Sequence, residues 1–476
     1  MKSISAYLEE DYKKWGENPY IHTLENGAFR AHSFKETIED IWSLARELKA
    51  RGYEASSMML YGENSYEWMV LYLSIMGYVG QCVPIDKEWT AFDIENTLAV
   101  IPTKVIFYSE TKEANISLLK EKYKDISYIC IQREFAGLIA SKATRKTPPV
   151  GQNDMEQPVM ILFTSGTTNI PKAIPLTQAN LFANWDTLYR RTPMTQTDVS
   201  YVMLPLNHVY SGVANFLYTI ISGMQLYLCS DLTRMIQEMI QIRPTVVCMV
   251  PLLLKRVYEV VNDQILDMLR DIRFLYCGGS FTDFEIKEYF IKQGVTLLEA
   301  YGTTETSSVI TLDIVGDENI TSNGVIFENL DVRILEPDEN GVGEIIVKGG
   351  SVSKGYISRN DNNSEFDEEG YYHTGDLGRI DETGHLYLSG RKRRMIITAN
   401  GKNVYVDEIE AMLLENQRIK ACKVYEEDFH ITASVFSDLP EMDVRSYVAE
   451  VNEKLPKFKQ IKRLYVKADT LGGRIK

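Results

Sequence analysis

The chain has 476 residues, beyond the roughly 250–300 that one hydrophobic core organises, so more than one domain is expected. Its 45% hydrophobic and 25% charged residues are ordinary for a soluble globular protein, and no run of about 18 apolar residues exists to span a bilayer. A net charge of −15 argues against general nucleic-acid binding, and the acidic Glu9-Glu10-Asp11 interrupts any signal-peptide core, so a cytoplasmic location is expected.

Ser33-Phe34-Lys35-Glu36 has the spacing of a capping box, and Ile38, Trp42, Ala45 and Leu48 follow at helical intervals, which predicts an amphipathic helix ending at Gly52. Short apolar runs at 58–61, 82–85, 104–108 and 128–131, with a helical stretch over 66–78, alternate strand and helix. Residues 1–150 therefore read as a doubly wound α/β subdomain. A second α/β series is expected over 151–322, with strands at 159–163, 201–204, 225–228, 245–250, 273–276 and 296–298. From about 323 to 390, Gly and Asp break up short alternating runs such as Gly343–Gly349, the texture of a small β-barrel-like subdomain. Residues 391–476 mix strands and helices in a small α+β domain. With 17 Lys and Arg against 13 Asp and Glu it is net +4 in an otherwise acidic chain, either a solvated basic face or a surface for phosphates or an acidic partner. The six cysteines, Cys82, Cys130, Cys229, Cys248, Cys277 and Cys422, are scattered with no close pair, and read as buried thiols rather than metal or redox ligands.

The segment that carries most chemistry is Thr164-Ser165-Gly166-Thr167-Thr168-Asn169-Ile170-Pro171-Lys172, directly after an apolar strand. Hydroxyls and amides donate to phosphate oxygens, glycine admits close approach, and lysine adds compact positive charge, so a phosphate cradle is expected. It is not a P-loop, because proline precedes Lys172 and Ala173 follows it. Three further groups appear in order: Cys277-Gly278-Gly279-Ser280 with Tyr301-Gly302-Thr303-Thr304-Glu305, then Tyr371-Tyr372-His373-Thr374-Gly375-Asp376, then Gly390-Arg391-Lys392-Arg393-Arg394 leading to Gly401-Lys402-Asn403.

In this ordered set the chain resembles the adenylate-forming superfamily of acyl- and aryl-CoA synthetases, peptide-synthetase adenylation domains and luciferases. The resemblance implies a large N-terminal ATP- and acid-binding domain over 1–390 and a mobile C-terminal lid over 391–476. It also implies a carboxylic acid activated by ATP and Mg²⁺ and passed to coenzyme A, or to the phosphopantetheine of an acyl carrier protein. By that resemblance Thr164, Ser165, Gly166, Thr167, Thr168 and Lys172 hold the β- and γ-phosphates, and Glu305 with Thr167 meets the metal. Tyr301 with Gly302 and Thr303 faces adenine, Thr304 contacts the α-phosphate, Gly278, Gly279 and Ser280 border the nucleotide, and Asp376 with Arg391 binds ribose.

Gly401, Lys402 and Asn403 match the loop that serves thioester formation, and Arg394 stands at the hinge. The implied acyl pocket uses His208, Tyr210, Gly212, Gly278 and Ala300. Leu204-Pro205-Leu206-Asn207-His208-Val209-Tyr210 lacks the aspartate of amino-acid-activating relatives and looks most like medium- and long-chain synthetases, so an apolar or fatty acid is expected. One departure stands out: Arg474 occupies the place of the relatives' catalytic lysine, offering a planar fork instead of a point charge. Lys467 or Lys476 could substitute, or the protein could bind adenylate with little turnover.

Overall fold

Ser33 accepts a hydrogen bond from the Glu36 amide and opens the helix Phe34–Ala50, which ends at Arg51, just before Gly52. Only half of the expected capping box forms. The Glu36 carboxylate turns to Arg30 at 3.1 Å and His32 at 3.3 Å on the adjoining edge strand, where an ion pair competes with the helix amide. The computed structural model describes residues 2–140, 146–164, 171–280, 282–317, 319–357, 365–397, 403–427, 430–455 and 459–468. By its contacts the chain divides into two compact units, 1–331 with 347–372, and 332–346 with 373–476.

The first unit holds two large mixed sheets with helices between the strands, the α/β architecture expected. One sheet runs, edge to edge, Ser127–Cys130, Val105–Tyr108, Ser57–Tyr61, Gln81–Ile85, Pro158–Thr164 and Lys172–Thr177, all parallel except the last. The other runs Val325–Ile326, Thr311–Leu312, Leu297–Tyr301, Phe274–Gly278, Val246–Met249, Val199–Val202, Gln225–Leu228, Pro19–Glu25 and Ala28–Ser33. Sheet membership departs from chain order. The strand Pro158–Thr164, read above as the start of the second series, joins the first sheet beside Gln81–Ile85, while the hairpin Pro19–Ser33 extends the second sheet through Gln225–Leu228. Strand order is set by which crossovers bury apolar faces, and that is not a local property of the chain.

A four-stranded sheet follows, in the order Leu330–Leu335, Gly343–Gly349, Tyr372–Ile380 and Leu386–Arg391. The compact units divide within the chain segments that form it, at 331/332, 346/347 and 372/373, and Tyr372–Ile380 pairs antiparallel with Leu386–Arg391. The second unit continues with the hairpin Met395–Ile397 and Asn403–Tyr405, the helices Val406–Leu414 and Glu441–Lys454, and a three-stranded sheet of Ile419–Glu427, His430–Ser437 and Arg463–Ala468. Its core includes Val404, Ile409, Leu413, Val424, Val435 and Val448. Cys82, Cys130, Cys248 and Cys277 are buried and Cys229 and Cys422 partly so, and all six are free thiols. No helix among the described residues is long and apolar enough to cross a membrane.

Asp11, in the helix Ile4–Trp15, is buried and its Oδ2 has no hydrogen-bond partner among the described residues; burial pushes its carboxyl up to about 8. The native state thus keeps a proton that the unfolded chain releases above its ordinary value of 3.8, and stability falls as pH rises from there to about 8. Asp11→Asn should remove that slope and raise stability at pH 8 by an amount on the order of a few kcal/mol. Melting temperatures of both proteins from pH 4 to 8 check this, and parallel profiles would refute it.

Candidate functional site

Thr164 and Lys172, the two ends of the segment expected to cradle phosphate, pair opposite each other in the antiparallel ladder of Pro158–Thr164 with Lys172–Thr177. Beside it runs Gly355–Ile357, held by the Ile357 amide donating to the Ala173 carbonyl at 2.8 Å. Tyr356 from that segment lies under the Lys172 ammonium, whose nitrogen is 4.6 Å from the ring centroid, and donates its hydroxyl to Glu305 Oε1 at 2.9 Å. Lys172 also pairs with Glu365. Burial and the neighbouring Glu305 carboxylate raise the Tyr356 phenol well above its usual range, so it stays a donor. One cation, two carboxylates and a phenol from three distant stretches of chain thus meet at the start of the strand Lys172–Thr177.

Glu305 arrives there by a constrained route. Leu297–Tyr301 and Phe274–Gly278 are parallel neighbours with Gly278 opposite Ala300, so both motifs emerge at the C-terminal ends of adjacent strands, where α/β folds place ligands. A side chain on Gly278 would fall 2.6 Å from the Ala300 carbonyl oxygen, and one on Gly302 would fall 1.6 Å from that of Ser308, so neither position admits a Cβ. Thr303 then opens the short turn Thr304–Thr306, and Ser307 and Ser308 follow with φ of 58° and 118°. Such backbone is unfavourable outside glycine and persists only where its surroundings hold it. Here the Ser307 hydroxyl donates to the Ser351 carbonyl at 2.8 Å, and the Glu305 carbonyl accepts from the Ser353 amide at 2.7 Å. Gly279 and Ser280 are exposed past the strand end, and Tyr301, Gly302, Thr303 and Thr304 are partly exposed.

In the second unit, Asp376 and Arg391 stand opposite each other on paired strands and form an ion pair at 2.7 Å. Asp376 is buried while the Arg391 side chain is largely exposed, so the pair fixes the carboxylate and leaves the guanidinium accessible. Residues 8–357 match the family model for AMP-binding enzymes. The chain belongs to the AMP-binding enzyme family. It is similar to a 2-succinylbenzoate–CoA ligase of Oceanobacillus iheyensis, 26% identical over 400 residues that cover 82% of this chain and 80% of the relative. A long-chain-fatty-acid–CoA ligase of Drosophila melanogaster, heimdall, is 31% identical over 313 residues, 53% of this chain and 46% of that one. Among solved structures, the ATP-bound RpMatB-BxBclM chimera B1 superposes with a TM-score of 0.86 at 25% identity, covering 98% of this chain and 96% of the chimera.

Of the remaining expected residues, Tyr210 and Ala300 border one small cavity. His208 is exposed, with Nε2 3.7 Å from the Asp86 carboxylate, and precedes the short helical turn Val209–Ser211. Tyr210 donates to the Met249 carbonyl at 3.2 Å, and Gly212 begins a buried π-helical segment. Arg394, the hinge candidate, pairs with Asp407 and Glu410 of the helix Val406–Leu414. Ser165, Gly166, Thr167, Thr168, Gly401, Lys402, Arg474 and Lys476 lie outside the described residues, as does the side chain of Asn403. Tyr356 and Glu365 were missed in the sequence. Neither lies in a periodic or glycine-rich signature of its own, and only the pairing of Ile357 with Ala173 brings their stretch to Lys172.

Proposed function

We propose that the chain activates a carboxylic acid with ATP and transfers the acyl group to the thiol of coenzyme A. In the first step a carboxylate oxygen bonds to the α-phosphorus as the bond to the β-phosphate bridging oxygen breaks, releasing pyrophosphate and leaving acyl-AMP. In the second, the thiolate sulfur bonds to the acyl carbon and AMP departs. The observation that carries this reading is the convergence of Lys172, Tyr356, Glu305 and Glu365 at the start of the strand Lys172–Thr177 within a family-wide match. Two anions cannot approach one another without fixed cations and donors, and Lys172 would supply the charge. Thr304 would serve the α-phosphate and Tyr301 the adenine. In the second unit Asp376, steadied by Arg391, would accept the ribose hydroxyls.

Mg²⁺, when bound, would neutralise phosphate charge. Such an ion typically takes one or two protein carboxylates and completes its shell from phosphate and water. Glu305 and Glu365 suit that role, and no cluster of three or more His, Cys, Asp or Glu among the described residues would enclose a metal without the nucleotide. Residues 391–476 would act as the lid, with Gly401, Lys402 and Asn403 serving the thioester step and Arg474 bridging carboxylate and α-phosphate.

We take the acid to be largely apolar and the location cytoplasmic. The acceptor thiol is coenzyme A, in keeping with the CoA ligases among its relatives, and the phosphopantetheine of a carrier protein is the alternative. The test is pyrophosphate release from Mg-ATP with a panel of aliphatic, aryl and amino acids and no thiol, followed by addition of coenzyme A or holo carrier protein. Acid-dependent release, then AMP formation on adding coenzyme A, is the expected result. ATP binding with no release for any acid would leave only a nucleotide-binding protein.

A further inference from the structure

Lys172 and Glu305 are far apart in the chain and are joined through one short stretch, residues 353–357. The Ser353 amide donates to the Glu305 carbonyl at 2.7 Å, and the Ser353 hydroxyl donates to the Pro175 carbonyl at 2.9 Å. The Ile357 amide donates to the Ala173 carbonyl at 2.8 Å. The stretch is thereby tied both to the turn that holds Glu305 and to the strand that Lys172 begins. Tyr356, between these anchors, repeats the connection with its side chain, its ring under the Lys172 ammonium and its hydroxyl on Glu305 Oε1. Tyr356 is 9% exposed, and Phe366 meets its ring edge-on, with centroids 5.4 Å apart and planes at 74°. A ring packed on that side has little freedom to leave either partner.

We propose that Tyr356 is a positioning residue with two separable parts: its hydroxyl orients Glu305 for the Mg²⁺ that accompanies the nucleotide, and its ring seats Lys172 for the phosphates. The inference rests on the nucleotide-dependent function proposed above and goes beyond it by giving a residue outside every sequence motif control over both halves of the phosphate site. A hydrogen bond to one oxygen of a metal-binding carboxylate fixes its orientation and leaves the other oxygen for the ion. Loss of such a partner costs roughly 10–100-fold in metal affinity. An aromatic face beneath an ammonium attracts it without occupying its N–H donors, so those remain available to anions. Phenylalanine keeps the ring and drops the hydroxyl, and leucine drops both. Each part can therefore be removed in turn.

The test is the calorimetric affinity of a non-hydrolysable ATP analogue for the full chain, Tyr356→Phe and Tyr356→Leu, measured in EDTA and again in saturating Mg²⁺. In the unaltered protein Mg²⁺ should tighten binding, and the ratio of the two affinities measures the ion's share. In Tyr356→Phe the affinity in EDTA should stay within about twofold, while the Mg²⁺ ratio falls by about 10–100-fold or to unity. In Tyr356→Leu the affinity in EDTA should itself fall by about three- to tenfold. That further loss should vanish when Lys172 is already replaced by alanine, because the ring then has no ammonium to seat. A merely structural tyrosine would show it in both backgrounds. Tyr356→Phe keeps the ring volume and decides the hydroxyl's part even where Tyr356→Leu fails to fold. No Mg²⁺ effect in the unaltered protein, a ratio unchanged in Tyr356→Phe, or a leucine loss that is absent or persists without Lys172 would each overturn the proposal. The two readings fail separately. The expected affinities without pyrophosphate release for any acid sink acid activation and keep the role of Tyr356, and release with an unchanged Mg²⁺ ratio in Tyr356→Phe does the reverse.

Discussion

Lys172→Ala should lower acid-dependent pyrophosphate release by about 10²–10³-fold, the cost typical of removing one charge-stabilising donor from a reacting centre. The same substitution should leave the melting temperature nearly unchanged. The Lys172 side chain is 31% exposed and its pair with Glu365 is partly solvated, so its contribution to stability is small. Lys172→Arg should recover only part of the activity, since a planar fork over the Tyr356 ring cannot reproduce a point charge there. Steady-state kinetics beside thermal melts separate the effects. Full activity in Lys172→Ala would remove this cluster from the phosphate site, whereas a large drop in melting temperature would recast Lys172 as a structural residue.

Lys287→Ala should instead destabilise the fold by roughly 3–5 kcal/mol, the penalty for leaving buried charge uncompensated. Lys287 is 1% exposed and lies 3.0 Å from Glu299 and 2.8 Å from Asp313, with the Ser322 carbonyl at 3.2 Å. Glu299 also accepts from Asn323 at 2.9 Å, and Asp313 accepts from the Glu299 amide at 2.8 Å. Removing the ammonium strands two carboxylates inside the protein. The two carboxylates hold the Lys287 ammonium above its usual range, so it stays charged at neutral pH despite burial. Because Glu299 is followed directly by Ala300 and Tyr301, this triad anchors the strand Leu297–Tyr301 that leads to Glu305. Denaturant midpoints report the loss, and Lys287→Met combined with Glu299→Gln and Asp313→Asn should recover much of it by removing all three charges together. A triple variant no more stable than Lys287→Ala would show that packing, not charge, is what the lysine supplies.

Local pattern made much of the chain legible. The strands Gln225–Leu228 and Gly343–Gly349 fall where alternation and flanking breakers put them, and Ser33 caps the helix it was expected to cap. The ordered motifs led to the family, and Asp376 and Arg391 form an ion pair because both lie on strands whose pairing follows from a short connection. The helical stretch from Tyr66 was legible too, though it passes into a π-helical segment at Ile75–Val79.

By itself, then, the sequence determined element types, the order of the motifs and the class of chemistry, since propensity, capping and charge type act over a few residues. The tertiary structure decided which sheet receives the strands Pro158–Thr164 and Lys172–Thr177, that Tyr356 and Glu365 come to Lys172, and that Lys287 is enclosed by two carboxylates. Each of these joins residues far apart in the chain. Such contacts form only when whole sheets bury their faces, and no short window of sequence records that outcome.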